Sequence, residues 1–348
     1  MQMQDFIAAM PKAELHVHLE GTLEPEMKFV LAARNGVALP YKTADEMRDG
    51  YVYHDLPSFL RVFYEGRMVL IEEIDFYDLC YAYLQKAASQ NVLYAEMFFD
   101  PQQHTERGVA FDTVMRGLTR ARVDAERNLG IRSQLIMCFL REQSAQSAMD
   151  VLLSALPYKA DIVGVGLDSD ERDNPPGKFA EVFRRARQEG FRLTAHCDVD
   201  QENTRAHIRQ ALTDIGVDRI DHGVNVLEDP ELVALARTQG MTFTLCPFAN
   251  EVVRPGRGQE PIRQMLDMGL KVTLNSDDPA YMKGFYISEN LQLAQGAAGL
   301  TATDLLSMSL NAFEAAWISP SEREGYLVAL DRFARDWGEN DRAASPTA

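Results

Sequence analysis

The chain has 348 residues, of which 46% are hydrophobic and 25% charged, a composition that allows a sizeable buried core and excludes general disorder. Its 52 acidic side chains outnumber the 35 basic ones and give a formal net charge of -17. This charge opposes attraction to phosphate backbones and anionic membrane surfaces, so neither a nucleic acid polymer nor a membrane is expected as a partner.

The cysteines and the first residues bear on the cellular compartment. The four cysteines are far apart in the chain and form no C-x-x-C pair, so neither a disulfide framework nor a cysteine zinc cluster is predicted. The segment MQMQDFIAAMPKAEL has no basic region followed by an apolar one, and no apolar stretch reaches membrane-spanning length. We predict a cytoplasmic protein.

Eight short apolar runs rich in β-forming residues recur along the chain, with helical spacing of apolar residues between them. They cover residues 14–20, 92–100, 133–141, 161–169, 191–198, 218–224, 242–248 and 271–278. Strands that alternate with helices predict an α/β fold with a parallel sheet. Eight such units predict a (β/α)8 TIM barrel, which we place in one domain over residues 1–335.

Helical segments fill the intervals between these runs. They include residues 76–90, 111–130, 179–190 and 230–240, several of which end in glycine, a signal for helix termination. The interval 21–91 is too long for one helix, so we predict an insertion of helices that caps the C-terminal mouth of the barrel. Residues 336–348 end in small polar side chains and are expected to form a flexible tail.

Polar side chains collect where the predicted strands end, which is where α/β barrels carry their reactive residues. Four of the seven histidines and several aspartates lie at these ends, among them His16, His18, His196, His222, Asp221, Asp277 and Asp278. His16 and His18 are two residues apart, so strand alternation turns both imidazoles to the same side. Neutral imidazoles with one carboxylate suit zinc and leave a position open for water. The pattern therefore predicts a hydrolytic metal site.

Seven motifs then point to a known family. They are PKAELHVHLEGTLEPE (11–26), FFDPQQHTERG (98–108), GLDSDE (166–171), LTAH (193–196), RIDHGV (219–224), LCPFAN (245–250) and LNSDDPAY (274–281). In this order they resemble the adenosine and adenine deaminases of the amidohydrolase superfamily, to about residue 320 of this chain.

The resemblance implies a mechanism and a set of residue roles. One zinc ion per chain would be held by His16, His18, His196 and Asp277. His222 would orient the attacking water and help to deprotonate it, and Asp278 would hydrogen-bond the purine edge near N7. Bound zinc lowers the pKa of water toward neutrality, which makes hydroxide available for attack on the carbon that bears the amino group.

Two acidic positions favour a free base as the substrate. Glu20 stands where nucleoside-specific members of the family usually have an aspartate that reaches the ribose. The GLDSDE segment, which contains Asp168, resembles the adenine-type version of its loop. We therefore expect Glu20 and Asp168 to contact the substrate, and we predict hydrolysis of adenine to hypoxanthine and ammonia.

The chain departs from the family pattern after the fifth strand. Members usually read His-Ala-Gly-Glu there, with the glutamate as general acid, whereas this chain reads HCDVDQE from His196 and has Val199 at the glutamate position. The loop has two extra residues, so Glu202 or Asp200 is predicted to supply the acid, with Glu202 preferred. The alternative is that both residues cap the helix that begins near Thr204.

Other functions stay open at this level. The altered loop faces the substrate, so an N6-substituted adenine such as a cytokinin, adenosine or another aminopurine is an alternative substrate. A non-catalytic protein that binds a purine or a metal is an alternative of another class, although such a protein would not need a histidine that activates water. Iron, manganese or cobalt would also accept these ligands, and the sequence does not indicate an oligomeric state.

Overall fold

A computed structural model describes residues 2–344 of the protein, with side chains through residue 338. Eight strands form one sheet in the order β1 to β8, and each strand pairs in parallel with the next along the chain. They are β1 Lys12–His18, β2 Val92–Phe99, β3 Arg132–Leu140, β4 Ile162–Asp168, β5 Arg192–Cys197, β6 Arg219–His222, β7 Thr242–Leu245 and β8 Lys271–Leu274. A parallel bridge between Val17 and Asp277 brings the last strand back to the first. The predicted barrel is confirmed.

Helices follow the strands and surround the barrel. They are α1 Met3–Ala9, α2 Pro25–Asn35, α3 Ala44–Asp49, α4 Leu56–Gly66, α5 Glu73–Ser89, α6 Pro101–Thr105, α7 Phe111–Leu129, α8 Ala145–Ala155, α9 Ala180–Gln188, α10 Thr204–Gln210, α11 Pro230–Thr238, α12 Pro247–Val253, α13 Glu260–Asp267, α14 Ile287–Ala298, α15 Ala302–Ala315 and α16 Pro320–Ala344. Across residues 2–344, no helix has both the length and the apolar character needed to cross a bilayer.

The segment 21–91 contains the predicted helices above the mouth of the barrel. Helices α2, α3 and α4 lie in it, and α5 leads back to β2. Asp55 accepts a hydrogen bond from the backbone N–H of Ser58 and caps α4, while Pro57 stands in the first turn, where its missing N–H costs nothing. The chain therefore starts α4 at this point and brings its apolar face over the barrel.

Part of the predicted tail 336–348 is helical, and its flexibility stays a prediction. The predicted flexible tail 336–348 is helical through Ala344, because α16 continues to that residue. Residues 345–348 lie outside the described residues.

Because successive side chains of a strand point to opposite faces, the apolar side chains lie in two layers, one between the sheet and the helices and one inside the barrel. Phe99 of β2 belongs to the large core between the sheet and the helices, where most of the buried apolar residues are found. Phe98 faces the other way and forms a separate small cluster with Ile136 and Cys138 inside the barrel, against which Trp317 packs. The barrel interior is thus filled with side chains and leaves room for a site at its mouth.

Two glycines of β4 make this interior filling possible. A Cβ atom at Gly164 would lie 2.4 Å from the ring of Trp317, and one at Gly166 would lie 2.6 Å from Sγ of Cys138. Both distances are too short for any side chain. Glycine is required here because neighbouring side chains approach the strand backbone closely.

A buried ion pair joins opposite sides of the barrel. Arg219 Nη1 lies 2.6 Å from Glu96 Oε2, and both side chains are fully buried. The guanidinium also stacks 4.2 Å from the ring of Trp317, whose backbone N–H donates to Glu96 Oε1 at 2.5 Å. Glu96 therefore compensates a buried positive charge and anchors the tryptophan that packs against the interior cluster.

Removal of one partner of this ion pair should destabilise the folded protein. We expect Glu96→Ala to lower the free energy of unfolding by about 3–5 kcal/mol, because the Arg219 charge would be left buried without compensation. The matched control is Glu73→Ala, since Glu73 pairs with Arg116 and Arg120 at the surface and its loss should cost no more than about 1 kcal/mol. Urea denaturation of the three proteins checks this, and equal losses in both variants would contradict it.

Candidate metal centre and active site

Four side chains direct ligand atoms at one point above the barrel interior. Nε2 of His16 and Nε2 of His18 lie 3.1 Å and 3.4 Å from Oδ1 of Asp277. Nε2 of His18 lies 3.1 Å from Nε2 of His196. Two ligands at 2.0–2.1 Å from a tetrahedral ion are themselves about 3.3 Å apart. These spacings fit one divalent ion bound by all four residues, and the donor set of imidazoles and a carboxylate suits zinc.

The charge states of these residues suit metal binding. Burial lowers the pKa of His18 to about 4 and holds the pKa of His196 well below its usual value. Burial opposes ionisation of Asp277, but His16 and His222 outweigh it and lower the pKa of its carboxyl. Imidazoles are therefore available as neutral donors next to a carboxylate at neutral pH.

Asp221 holds the ligands from below. It accepts hydrogen bonds from Thr194 Oγ1 at 2.7 Å and from Thr244 Oγ1 at 2.8 Å. Because Thr244 gives its hydroxyl hydrogen to Asp221, it accepts from Nδ1 of His16, 2.9 Å away, which leaves Nε2 of His16 free for the ion. Oδ2 of Asp221 also lies 3.4 Å from Nδ1 of His196. The sequence analysis assigned no role to Asp221, although supporting carboxylates of this kind accompany most histidine ligands.

His222 is placed as a base beside the ligands. Its Nδ1 lies 2.7 Å from Oδ1 of Asn250. An amide oxygen only accepts hydrogen bonds, so Nδ1 carries the hydrogen and Nε2 keeps a free lone pair. Nε2 faces Oδ2 of Asp277 at 3.7 Å. Asn250 was also missed by the sequence analysis, although it ends the LCPFAN motif.

Three residues at strand ends adopt a backbone conformation that is rare outside glycine. The φ angles are 73° at Ser169, 56° at His222 and 65° at Asp277, and all three residues line the same cavity. Such conformations persist only where the surrounding structure enforces them. At Asp277 the backbone N–H donates to His16 O at 3.1 Å, and His18 N–H donates to Asp277 O at 2.9 Å. The candidate ligand Asp277 therefore has a strained backbone and also makes the hydrogen bonds that close the barrel.

A cavity lies over the candidate metal site. Its outer wall comes from α4 and from apolar residues across the mouth. These are Leu56, Phe59, Leu60, Phe63, Val199, Val253 and Met282. The floor is polar and contains the candidate metal ligands His18, His196 and Asp277 together with His222. The predicted helical insertion thus forms an apolar cover above a polar floor.

Acidic side chains line one side of this cavity. Asp168 and Asp278, both predicted substrate contacts, lie there with Asp100. Oδ1 of each of these three carboxyls is buried and lacks a hydrogen-bond partner among the described residues. Burial raises the pKa of all three well above the usual range, with Asp277 contributing at Asp278. These carboxyls are therefore available to exchange hydrogen bonds with a ligand.

Glu20 does not line the cavity, contrary to its expected role as a substrate contact. Its Oε1 lies 2.8 Å from Nε2 of His104 and accepts from the backbone N–H of Asp100 at 3.3 Å. His104 outweighs the effect of burial and lowers the pKa of Glu20. The correction has a structural reason: Glu20 is held behind Asp100, and Asp100 is the residue that reaches the cavity.

Neither predicted general acid reaches the cavity. Glu202 is exposed and lies in an outer groove beside Arg205 and Asp229. Asp200 is half-buried, and its Oδ1 accepts from Nε2 of Gln201 at 2.8 Å. The prediction of Glu202 or Asp200 as the acid therefore does not fit the structure. The loop turns outward after Val199, so it is Asp198 and Val199 that line the cavity.

The family can now be stated. The sequence matches the family model named adenosine deaminase over residues 11–332. The chain belongs to the adenosine deaminase family.

Relatives within the adenosine deaminase family cover nearly the whole chain. An uncharacterized deaminase of Schizosaccharomyces pombe is 60% identical over 332 residues, 95% of this chain and 98% of the relative. An adenine deaminase of Acinetobacter baylyi is 46% identical over 334 residues, 95% of this chain and 100% of the relative.

Solved structures are also similar to this protein over nearly the whole chain. The adenine deaminase of Arthrobacter aurescens superposes with a TM-score of 0.90 at 38% identity and covers 94% of this chain and 100% of its own. An amidohydrolase from Burkholderia ambifaria with bound zinc superposes with a TM-score of 0.86 at 29% identity and covers 97% and 94% of the two chains.

Adjacent aspartates allow a direct test of the metal ligands. We expect Asp277→Ala to weaken metal binding by more than about 100-fold, because loss of a supporting group alone can cost up to that factor. Asp278→Ala is the matched control and should keep its metal, since Asp278 is not a ligand. Metal content after dialysis against a chelator series, measured by mass spectrometry, checks both. Retention of metal by Asp277→Ala would remove Asp277 from the ligand set.

Proposed function

We propose that this member of the adenosine deaminase family hydrolyses adenine to hypoxanthine and ammonia, with one zinc ion per chain. The observation that carries the proposal is the convergence of four potential ligands beside His222 on the floor of a cavity that α4 covers. The adenine deaminases of Acinetobacter baylyi and Arthrobacter aurescens support the substrate. The amidohydrolase with bound zinc supports the metal. The cytoplasmic location stays a prediction.

His16, His18, His196 and Asp277 would hold the zinc. When bound, zinc would act as a Lewis acid that lowers the pKa of water to about 7. His222 takes the proton of the water that attacks C6, because its Nε2 has a free lone pair and its ring is fixed through Asn250. The same histidine then returns the proton to the departing amino group, so that ammonia leaves as a neutral molecule.

Asp278 and Asp168 bind the base from the acidic side of the cavity. The raised pKa of Asp278 favours its acid form, which can donate to N7, a ring nitrogen that only accepts. Asp168 provides a second polar contact, and Glu20 acts indirectly by holding the backbone of Asp100. Phe59 and Phe63 of α4 cover the ring and keep bulk water from the reacting carbon.

An N6-substituted adenine is the second candidate substrate. Val199 lines the cavity at the sequence position where the family usually has a glutamate, so an apolar surface replaces a carboxylate there. Together with Leu56 and Val253 it extends the apolar wall against which an alkyl substituent could pack. A non-catalytic binding protein is disfavoured, because the complete ligand set and a placed base are both present.

A comparison of substrates tests the proposal. Zinc-loaded protein should convert adenine to hypoxanthine with release of ammonia, and it should do so faster than it converts adenosine, N6-methyladenine or N6-isopentenyladenine. Mass spectrometry of the purine product and the released amine distinguishes the four reactions. Turnover of a substituted base alone would transfer the function to the second candidate, and no turnover of any of the four would contradict a deaminase of these aminopurines.

The position of Asp278 gives a second test. A Cβ atom at Gly21 would lie 2.0 Å from Asp278 Oδ1 and 2.7 Å from Asp278 Cα. We expect Gly21→Ala to displace Asp278 and to reduce kcat/KM for adenine by about 100-fold, the effect of a misplacement of about 1 Å, with zinc content unchanged.

The matched control for this variant is Gly296→Ala. Gly296 lies in α14, and no atom lies within 4 Å of the Cβ that the substitution would add. Steady-state kinetics and metal analysis of both variants check the expectation. Wild-type kinetics in Gly21→Ala would show that Asp278 does not depend on this contact or does not bind the base.

A further inference from the structure

The proposed reaction needs a proton donor that neither predicted general acid supplies. Attack of water at C6 places negative charge on the adjacent ring nitrogen N1, and protonation of N1 makes the ring a better electrophile. Glu202 and Asp200 lie outside the cavity, and Val199 has no proton to give. The donor must be a side chain that lines the cavity on the side where N1 is bound.

The shape of the purine defines that side. N1 and N7 flank the C6 amino group in opposite directions, so a base with N7 at Asp278 turns N1 away from β8 and toward the far side of the metal site. Asp278 follows β8, whereas His196 and Asp198 stand at the end of β5. Asp198 lines the cavity together with His196 and His222 and belongs to the altered loop.

Asp198 is buried, and one oxygen of its carboxyl group can still form a hydrogen bond with a ligand. Its side chain lies in the cavity wall, and Oδ2 is shielded from solvent and makes no hydrogen bond to any described residue. A buried carboxyl oxygen without a partner is costly in a folded protein. A hydrogen bond with a bound ring nitrogen would satisfy this group.

The backbone of Asp198 is fixed by buried side chains. Its N–H donates to Glu171 Oε2 at 2.6 Å, and its carbonyl accepts from Thr204 Oγ1 at 2.6 Å. Glu171 is itself fully buried between Arg141, 3.4 Å away, and His207. A catalytic group needs such support, because proton transfer depends on hydrogen-bond distance.

The next residue is anchored as well. The carbonyl of Val199 accepts from Asn225 Nδ2 at 3.1 Å and from Arg254 Nη1 at 2.9 Å. Side chains from several different parts of the chain therefore hold residues 198 and 199 on the cavity. The chain leaves the cavity only after this anchor, which explains why the acidic residues farther along the loop do not reach the base.

We propose that the Asp198 carboxyl group donates the proton to N1 of the aminopurine, an inference that rests on the proposed function. The Asp198 O–H bond breaks and N1–H forms as the water oxygen bonds to C6 and gives one proton to His222. The amino group leaves with the electron pair of its C6–N bond and takes that proton, which yields ammonia. The remaining hydroxyl proton returns through solvent to the Asp198 carboxylate as the C6 carbonyl forms.

Three substitutions of similar size compare the candidate acids directly. Asp198→Asn should reduce kcat by about 10²–10⁴-fold, the range for loss of a general acid, with KM and zinc content little changed. Asp200→Asn and Glu202→Gln are the matched controls and should keep kcat near the wild-type value. Steady-state kinetics with adenine and metal analysis of all three variants give the answer.

A chemical rescue separates catalysis from structural support. Asp198→Ala leaves a space beside the base that formate can enter, and added formate should restore part of the lost kcat because it supplies a carboxyl group. Sodium chloride at the same ionic strength should not. If Asp198→Asn also loses zinc or stability, restoration by formate still decides for the proton-donor role, and failure of formate to restore turnover in a folded Asp198→Ala that retains zinc decides against it.

The outcomes distinguish this proposal from the proposed function. Wild-type turnover with an unimpaired Asp198→Asn, or a large loss in either control variant, would overturn the role of Asp198 alone. If the wild-type protein deaminates an N6-substituted base instead of adenine, the same variants are measured with that base. Absence of turnover of every aminopurine by the wild-type protein would overturn both proposals together.

Discussion

Closure of the barrel between its first and last strands is the constraint on which the site depends. The backbone of Asp277 pairs with that of His16 and His18 through two hydrogen bonds, so the bonds that close the sheet also bring three ligand residues together. Asp277 is about 260 positions from the two histidines in sequence, although it contacts His16 directly. The metal site therefore forms only when the whole sheet has formed, and its geometry is as rigid as the barrel.

Buried polar contacts then set the chemistry of each residue. Asp221 and Thr244 orient His16, and Asn250 orients His222, so that each ring presents the nitrogen that the reaction needs. Burial lowers the pKa of His18 and His196 and so keeps these imidazoles neutral. It raises the pKa of the cavity carboxyls Asp100, Asp168 and Asp278 and favours their acid form. Desolvation destabilises isolated charges. In this site it therefore shifts the pKa values toward the neutral forms that serve as hydrogen-bond donors and acceptors in hydrolysis.

The helical insertion and the loop after β5 show where specificity is decided. Helix α4 covers the polar floor with aromatic side chains, and the loop adds Asp198 and Val199 to the cavity lining. The rest of that loop leaves the cavity, because Asn225 and Arg254 hold the carbonyl of Val199. The barrel thus fixes the positions of the candidate catalytic residues, and its loops shape the cavity that binds the substrate.

The sequence by itself determined the strand count, the barrel and the convergence of histidines at strand ends. These features are encoded in local periodicity and in residue types whose chemistry is narrow. Only the tertiary structure decided that Glu202 is exposed, that Glu20 stands behind Asp100, and that Asp198 lines the cavity, because these outcomes depend on contacts between distant segments. Side-chain direction in an irregular loop follows from its anchors and not from any repeat, so counting residues along the loop pointed to side chains that do not line the cavity.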